Sequence, residues 1–190
     1  MKKFLVILIA LIMVSGVMFA EAAATGDTDS LTINTTVRGV EAIQLSTAAL
    51  ALNTWGTLDL ATLNFTSETD EVVPAAQTGV INLRTNTKLG YYVVVSALPL
   101  TSTTVDTEIG FSLIPSGSAS SDATAGAGIT PLKLAETAET GTLVSFSAST
   151  SAGMRVSYQP FTVTLTSADW LAATAATDYT TTVTFNLWTN

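Results

Sequence analysis

Apolar and polar residues alternate with a period of two in several stretches of the chain, the mark of half-buried β-strands. LTINTTV places Leu31, Ile33 and Val37 on one face, and VINLRTNT places Ile81 and Leu83 together. GYYVVVSAL (Gly90 to Leu98) is apolar on both faces, which suits a central strand. EIGFSLIP aligns Ile109, Phe111 and Leu113, TLVSFSAS aligns Val144 and Phe146, and PFTVTLTS aligns Phe161, Val163 and Leu165. The last alternation puts Tyr179, Val183, Phe185 and Leu187 on one side, with Thr180, Thr182, Thr184 and Asn186 on the other. Trp188 falls out of phase with Phe185 and Leu187, so it is expected to face away from the core as a contact residue. Further strands are expected around Trp55 to Phe65 and Ile129 to Leu134.

Helical signals are short. SADWLAATAA (Ser167 to Ala176) predicts one or two turns, with Ser167 as N-cap and Asp169 near the positive helix end. STAALAL (Ser46 to Leu52) is a second candidate turn. The small-residue stretch SGSASSDATAGAG (Ser116 to Gly128) reads as an exposed, mobile loop. Threonine and valine suit a pleated, half-buried surface. The expected fold is all-β: one antiparallel sandwich domain of about eight to ten strands over residues 31–190, with one or two helical turns.

The first residues change the picture of where this domain works. Lys2 and Lys3 precede an apolar run from Phe4 to Phe19, and Ala20-Glu21-Ala22 is a small-x-small cleavage site. These are the three parts of a secretory signal, which predicts a mature chain from Ala23 behind a polar lead, Ala23 to Ser30. The run is short for a membrane span of about 20 residues. Export to the periplasm, the cell surface or the medium follows, with no stable membrane insertion after cleavage.

Removal of 22 residues from 190 leaves 168, with 5 basic and 14 acidic residues and a net charge of −9. That balance argues against nucleic-acid partners, which require basic patches. The chain has no cysteine and no histidine. Thiol nucleophiles, a Ser-His-Asp triad and nearly all zinc or copper sites are therefore excluded. No catalytic residue, cofactor site or metal site is assigned. Asp27 and Asp29 have the spacing that opens many calcium loops, but the remaining ligands and the closing glutamate do not follow, so the pair reads as part of a solvated N-terminal tail. Glu68, Asp70 and Glu71 read as a solvated acidic loop. Asn34-Thr35-Thr36 and Asn64-Phe65-Thr66 match the N-glycosylation pattern, but behind a bacterial-type signal they read as chance.

The stretch GMRVSYQPFTVTLTSADW, followed by DYTTTVTFNL, resembles the C-terminal half of secreted bacterial sandwich subunits, both spore-coat-U-like and fimbrial-type. LSTAALALNTWGTLDLATLNF, followed by LRTNTKLGYYVVVSA, is similar in order to their N-terminal half. The resemblance implies an immunoglobulin-like sandwich, export to the surface and polymerisation by strand exchange. The chain departs from these families in three ways: Thr189 stands where many carry a penultimate aromatic, no glycine directly precedes Tyr179, and the cysteine pair is absent.

The expected function is a non-enzymatic structural or adhesive surface subunit. Leu31, Ile33, Val37, Val183, Phe185 and Leu187 would carry strand pairing, within one chain or with copies of itself or related subunits, and Leu31 to Val37 serves equally as a donor strand or as the domain's own first strand. A monomeric carbohydrate-binding module is the alternative. It requires a flat row of exposed aromatics drawn from Trp55, Tyr91, Tyr92, Trp170 and Trp188, with a glycan as partner. A hydrolase would require a cleft with two facing carboxylates about 5–9.5 Å apart.

Overall fold

Strands form where β-branched and aromatic residues alternate with small polar ones, and each inward series ends in one shared core. A computed structural model of the chain describes residues 35, 38–66, 72–131 and 135–190. Residues 38–190 form one compact unit and are described by themselves. Their strands are β1 (Glu41–Ser46), β2 (Gln77–Thr85), β3 (Tyr91–Ala97), β4 (Leu100–Thr101), β5 (Glu108–Ile109), β6 (Phe111–Pro115), β7 (Ala123–Ala125), β8 (Glu139–Phe146), β9 (Arg155–Leu165) and β10 (Thr184–Thr189). Among the described residues, the helical content is a 3-10 turn at Leu52–Thr54 and one helix, α1 (Ser167–Ala172). The protein is all-β, with antiparallel pairing throughout the described strands.

Two four-stranded sheets carry the fold, in the orders β1-β2-β9-β6 and β10-β3-β8-β7, beside the small β4-β5 pair. β3 shows the principle most plainly: Tyr91, Val93, Val95 and Ala97 are buried, while Tyr92, Val94 and Ser96 are half-buried on the other face. The inward residues of both sheets join one cluster, with Ile81, Leu83, Phe111, Leu113, Phe161 and Leu165 from the first and Val93, Val95, Val144 and Phe146 from the second. Fully burying one such aliphatic side chain contributes about 1.5–3 kcal/mol. The β3–β8 register shifts between Val93 and Val94, so an extra β8 residue fits and both Leu143 and Val144 are buried.

Pro160 lies inside β9, a central strand, where a missing N–H is normally costly. Its carbonyl accepts the Ser116 N–H on the β6 side. The proline nitrogen faces that same side, just past the last β6 pair, Pro115↔Phe161, so the reciprocal bond to the Ser116 carbonyl is missing and Gln159 Nε2 donates to that carbonyl instead, at 3.1 Å.

The stretch Ser116 to Gly128 is not a free loop. It holds β7, which pairs with β8, and it ties the two sheets together. Ser116 and Ser120 donate to the Pro160 and Tyr158 carbonyls of the first sheet, and Gly126 and Gly128 donate to Leu143 and Thr142 of the second. Asp122 receives Arg155 Nη1 at 3.0 Å and Ser157 Oγ at 2.6 Å. The small residues that suggested mobility are what permit the close approach. Gly128 has φ +71°, and a side chain there would collide with the Leu113 carbonyl oxygen.

Other expectations shift as well. Trp55 to Phe65 forms no strand beyond a single bridge, Asp59 to Ser46, because its side chains rather than its backbone engage the core. Of the strand expected around Ile129 to Leu134, Ile129 makes an isolated bridge with Leu113, Pro131 accepts the Phe111 N–H at 3.2 Å, and residues 132–134 lie outside the described residues. The Ser46 to Leu52 turn is displaced to Leu52–Thr54, since Ser46 is held in β1. The α1 N-cap is Thr166, not Ser167, and Asp169 turns back to accept the Gly110 N–H at 3.0 Å. β1 was not anticipated, because Ile43 and Leu45 are its only large apolar residues.

Gly128→Ala should destabilise the fold by about 2–4 kcal/mol, from left-handed strain plus overpacking. Urea denaturation of the two proteins measures it, and a change below about 0.5 kcal/mol would mean that the inter-sheet segment can yield.

Candidate strand-accepting groove

β10 lies at the edge of its sheet, paired on one side with β3 and without a partner strand on the other among the described residues. Val183, Phe185 and Leu187 are half-buried and pack on the core. The Phe185 ring meets Phe161 of the opposite sheet with centroids 5.8 Å apart and planes tilted by 43°, a favourable aromatic geometry. Beside this contact the space between the sheets opens into a groove of about 410 Å3. Its floor is Phe111, Leu113, Phe161, Val163 and Leu165, and its walls are the segments 60–65 and 179–183.

Both walls lie outside the named strands and have little backbone pairing among the described residues. The segment 58–60 is bonded to the end of β1, where Leu60 N–H donates to the Leu45 carbonyl at 3.2 Å. From Ala61 to Thr66 no hydrogen bond is made among the described residues, although Leu63 and Phe65 pack inward. Gly79 makes room for this wall, because a side chain there would run into Leu60 and the Phe161 ring. On the other wall, Thr180 pairs with Thr101 through two backbone bonds of 2.9 and 3.0 Å, while Thr181–Val183 have no backbone partner among the described residues.

Asp178 fixes where the second wall begins. Its carboxylate accepts Ser102 Oγ at 2.6 Å, Thr103 N–H at 2.9 Å, Thr103 Oγ1 at 2.6 Å and Thr104 Oγ1 at 3.0 Å. These bonds, led by that from Ser102, hold its pKa well below the usual carboxylate range. Tyr179 follows, with its hydroxyl bonded to Thr107 and donating to the Thr174 carbonyl. Asp178 gave no signal in the sequence, since its partners lie 74–76 residues away.

No residue lining the groove is charged, so it offers no facing carboxylates for glycoside hydrolysis. Among the described residues, no cluster of three or more ligating side chains could hold a metal ion. Leu31, Ile33 and Val37, the Asp27 and Asp29 pair, and Glu68, Asp70 and Glu71 lie outside the described residues. The remaining aromatics separate. Tyr91 is fully buried and donates to Glu41 Oε1, Trp170 is half-buried on the core, and Trp55 lies under the Arg84 guanidinium at 4.7 Å. Trp188 is 54% exposed, on the face of β10 opposite Phe185 and Leu187.

An apolar floor beneath an open strand edge is the physical requirement for adding a foreign strand: backbone bonds give affinity, and alternate side chains fill the floor. Comparison with protein-family models matches none of them, and comparison with curated proteins gives no match.

Phe185→Ala should cost about 2–3 kcal/mol, at or below the range for fully buried aromatics because the ring is half-buried, while Trp188→Ala should stay within about 0.5 kcal/mol. Chemical denaturation of both variants checks the strand's inward face. For Asp178 the sign follows from a lowered folded-state pKa. Its contribution is complete above the unfolded carboxylate pKa of about 3.9 and is lost as pH falls through the lower folded value. Asp178→Asn should therefore be less stable than the parent at pH 6, and the gap should narrow at pH 2.5. Equal gaps at the two pH values would show that the charge is not what holds the wall.

Proposed function

We propose that this chain is an exported, non-enzymatic structural subunit of a bacterial surface assembly, joined to copies of itself or to related subunits by strand pairing at the groove. The observation that carries the proposal is an uncharged groove of about 410 Å3 with an apolar floor, beside an edge of β10 that has no partner strand among the described residues. The natural occupant is an extended segment with alternating apolar side chains, and the chain supplies one in Leu31, Ile33 and Val37 of a second copy. Val183, Phe185 and Leu187 provide the receiving strand and its inward face. The sequence features of a secretory signal support export, and the absence of charge along the groove favours a structural partner over a reacting substrate. An immunoglobulin-like form of the sandwich belongs to the same proposal. It is supported by the way each sheet pairs an early strand with a late one, β2 with β9 and β3 with β10. The assembly requires no cofactor.

Light scattering on a sizing column, with the mature chain from Ala23 to Asn190, tests the proposal. Concentration-dependent oligomers are expected, and the double variant Leu31→Asp, Ile33→Asp should shift them to monomer. A parent protein that stays monomeric at every concentration and refolds alone overturns the strand-exchange proposal.

A further inference from the structure

The two sheets differ in what covers their outer faces. The first is roofed by its own chain: Leu50 is buried, its N–H donates to Asn82 Oδ1 at 2.9 Å, and Trp55 stacks on Arg84. The second has no such roof among the described residues, and its outward positions are open or half-open. Register aligns four of them in a row across all four strands. Trp188 stands opposite Tyr92, Tyr92 opposite Ser145, and Ser145 opposite Thr124. Residues directly opposite one another share a face, with neighbouring strands about 4.8 Å apart, so the row is a continuous line of side chains.

The chemistry of this row is uniform. Neither it nor the outward positions beside it on β3 and β10, Val94, Ser96, Thr184 and Asn186, carry a charge, in a chain of net charge −8. The indole N–H of Trp188, the phenol of Tyr92 and the hydroxyls of Ser145 and Thr124 make no hydrogen bond among the described residues. A row that begins with two aromatic side chains on paired strands and continues with neutral hydroxyls that make no hydrogen bond among the described residues matches one ligand chemistry. The rings stack on the C–H faces of sugar rings, while the indole N–H and the hydroxyls exchange hydrogen bonds with sugar hydroxyls. Cationic or anionic ligands find no counter-charge here. A protein partner would favour a more apolar centre than this row provides.

We infer that the outer face of the second sheet binds a neutral polysaccharide laid across the strands, with Trp188 and Tyr92 as its stacking platform. The site lies on the face of β10 opposite the groove, and the inference does not rest on assembly. It makes this face the adhesive surface of the molecule, with Trp188 the residue on which binding depends most.

The experiment is depletion of the mature protein from solution by three solid probes: microcrystalline cellulose, insoluble chitin and starch granules. The expected result is retention by at least one probe, little changed between 0.15 M and 1 M salt, because the contact is uncharged. Trp188→Ala should weaken retention about tenfold or more, and Tyr92→Ala should act in the same direction. Trp55→Ala, outside the face, should leave it unchanged. Trp188→Ala decides the matter if Tyr92→Ala fails to fold, since Trp188 is exposed and circular dichroism can verify its fold. No retention on any probe overturns the inference, as does retention that survives Trp188→Ala. Loss of self-association in Trp188→Ala, without loss of retention, assigns the face to copy-to-copy contact and also overturns it. Oligomerisation that fails while Trp188-dependent retention persists rejects the assembly proposal alone.

Discussion

Two sheets that bury their inner faces against each other must also be closed along their sides, and that constraint organises this molecule. A side left open exposes apolar residues to water and leaves backbone donors and acceptors unpaired. The β6–β7 side is closed by the segment from Ser116 to Ile129, which alternates its bonds between the sheets and adds the Asp122–Arg155 ion pair at 3.0 Å. That closure works because glycine at 126 and 128 lets one backbone lie against another. The β1–β10 side is treated differently. Two extended segments approach from either sheet, their apolar side chains turn inward, and the space between them remains a groove.

The groove is maintained by anchors at its margins rather than by pairing along its length. Asp178 collects four bonds from three consecutive residues, Ser102 to Thr104, and the Thr101–Thr180 bridge continues the attachment. On the facing wall the Leu45–Leu60 bond and the gap left by Gly79 set the position of Leu60. Side-chain anchors of this kind fix a segment in place without satisfying its backbone. Among the described residues, most of the backbone of Ala61–Thr66 and Thr181–Val183 therefore has no partner. The opposite face of β10 has a different character, so one short strand separates an apolar groove from a neutral, hydroxyl-bearing surface.

Much of the sheet was legible from the alternation of side chains, because a half-buried strand writes its two faces into every second residue. β3, β6 and β9 show this in Val93 and Val95, in Phe111 and Leu113, and in Phe161, Val163 and Leu165, all buried. β1 was hidden because Ala42 and Gln44 blur its two apolar positions. Trp55 to Phe65 carries two short apolar pairs, Leu58 with Leu60 and Leu63 with Phe65, that suit a strand, yet its residues pack with almost no backbone pairing among the described residues, and such spacing does not distinguish those outcomes. The loop reading of Ser116 to Gly128 failed because small residues mark both flexibility and tight backbone contact.

The amino-acid sequence by itself determined that this is an all-β protein built on strands such as β3 and β9, with no cysteine or histidine chemistry. Those properties depend on local residue type and spacing, which a linear chain displays. Only the tertiary structure decided that Phe185 meets Phe161, that Asp178 is held by residues far away in the chain, and that Trp188, Tyr92, Ser145 and Thr124 form one row. Each of these is a consequence of strand order and register. Register is fixed when two sheets bury a common core, and the energy that fixes it is shared among residues distant in sequence.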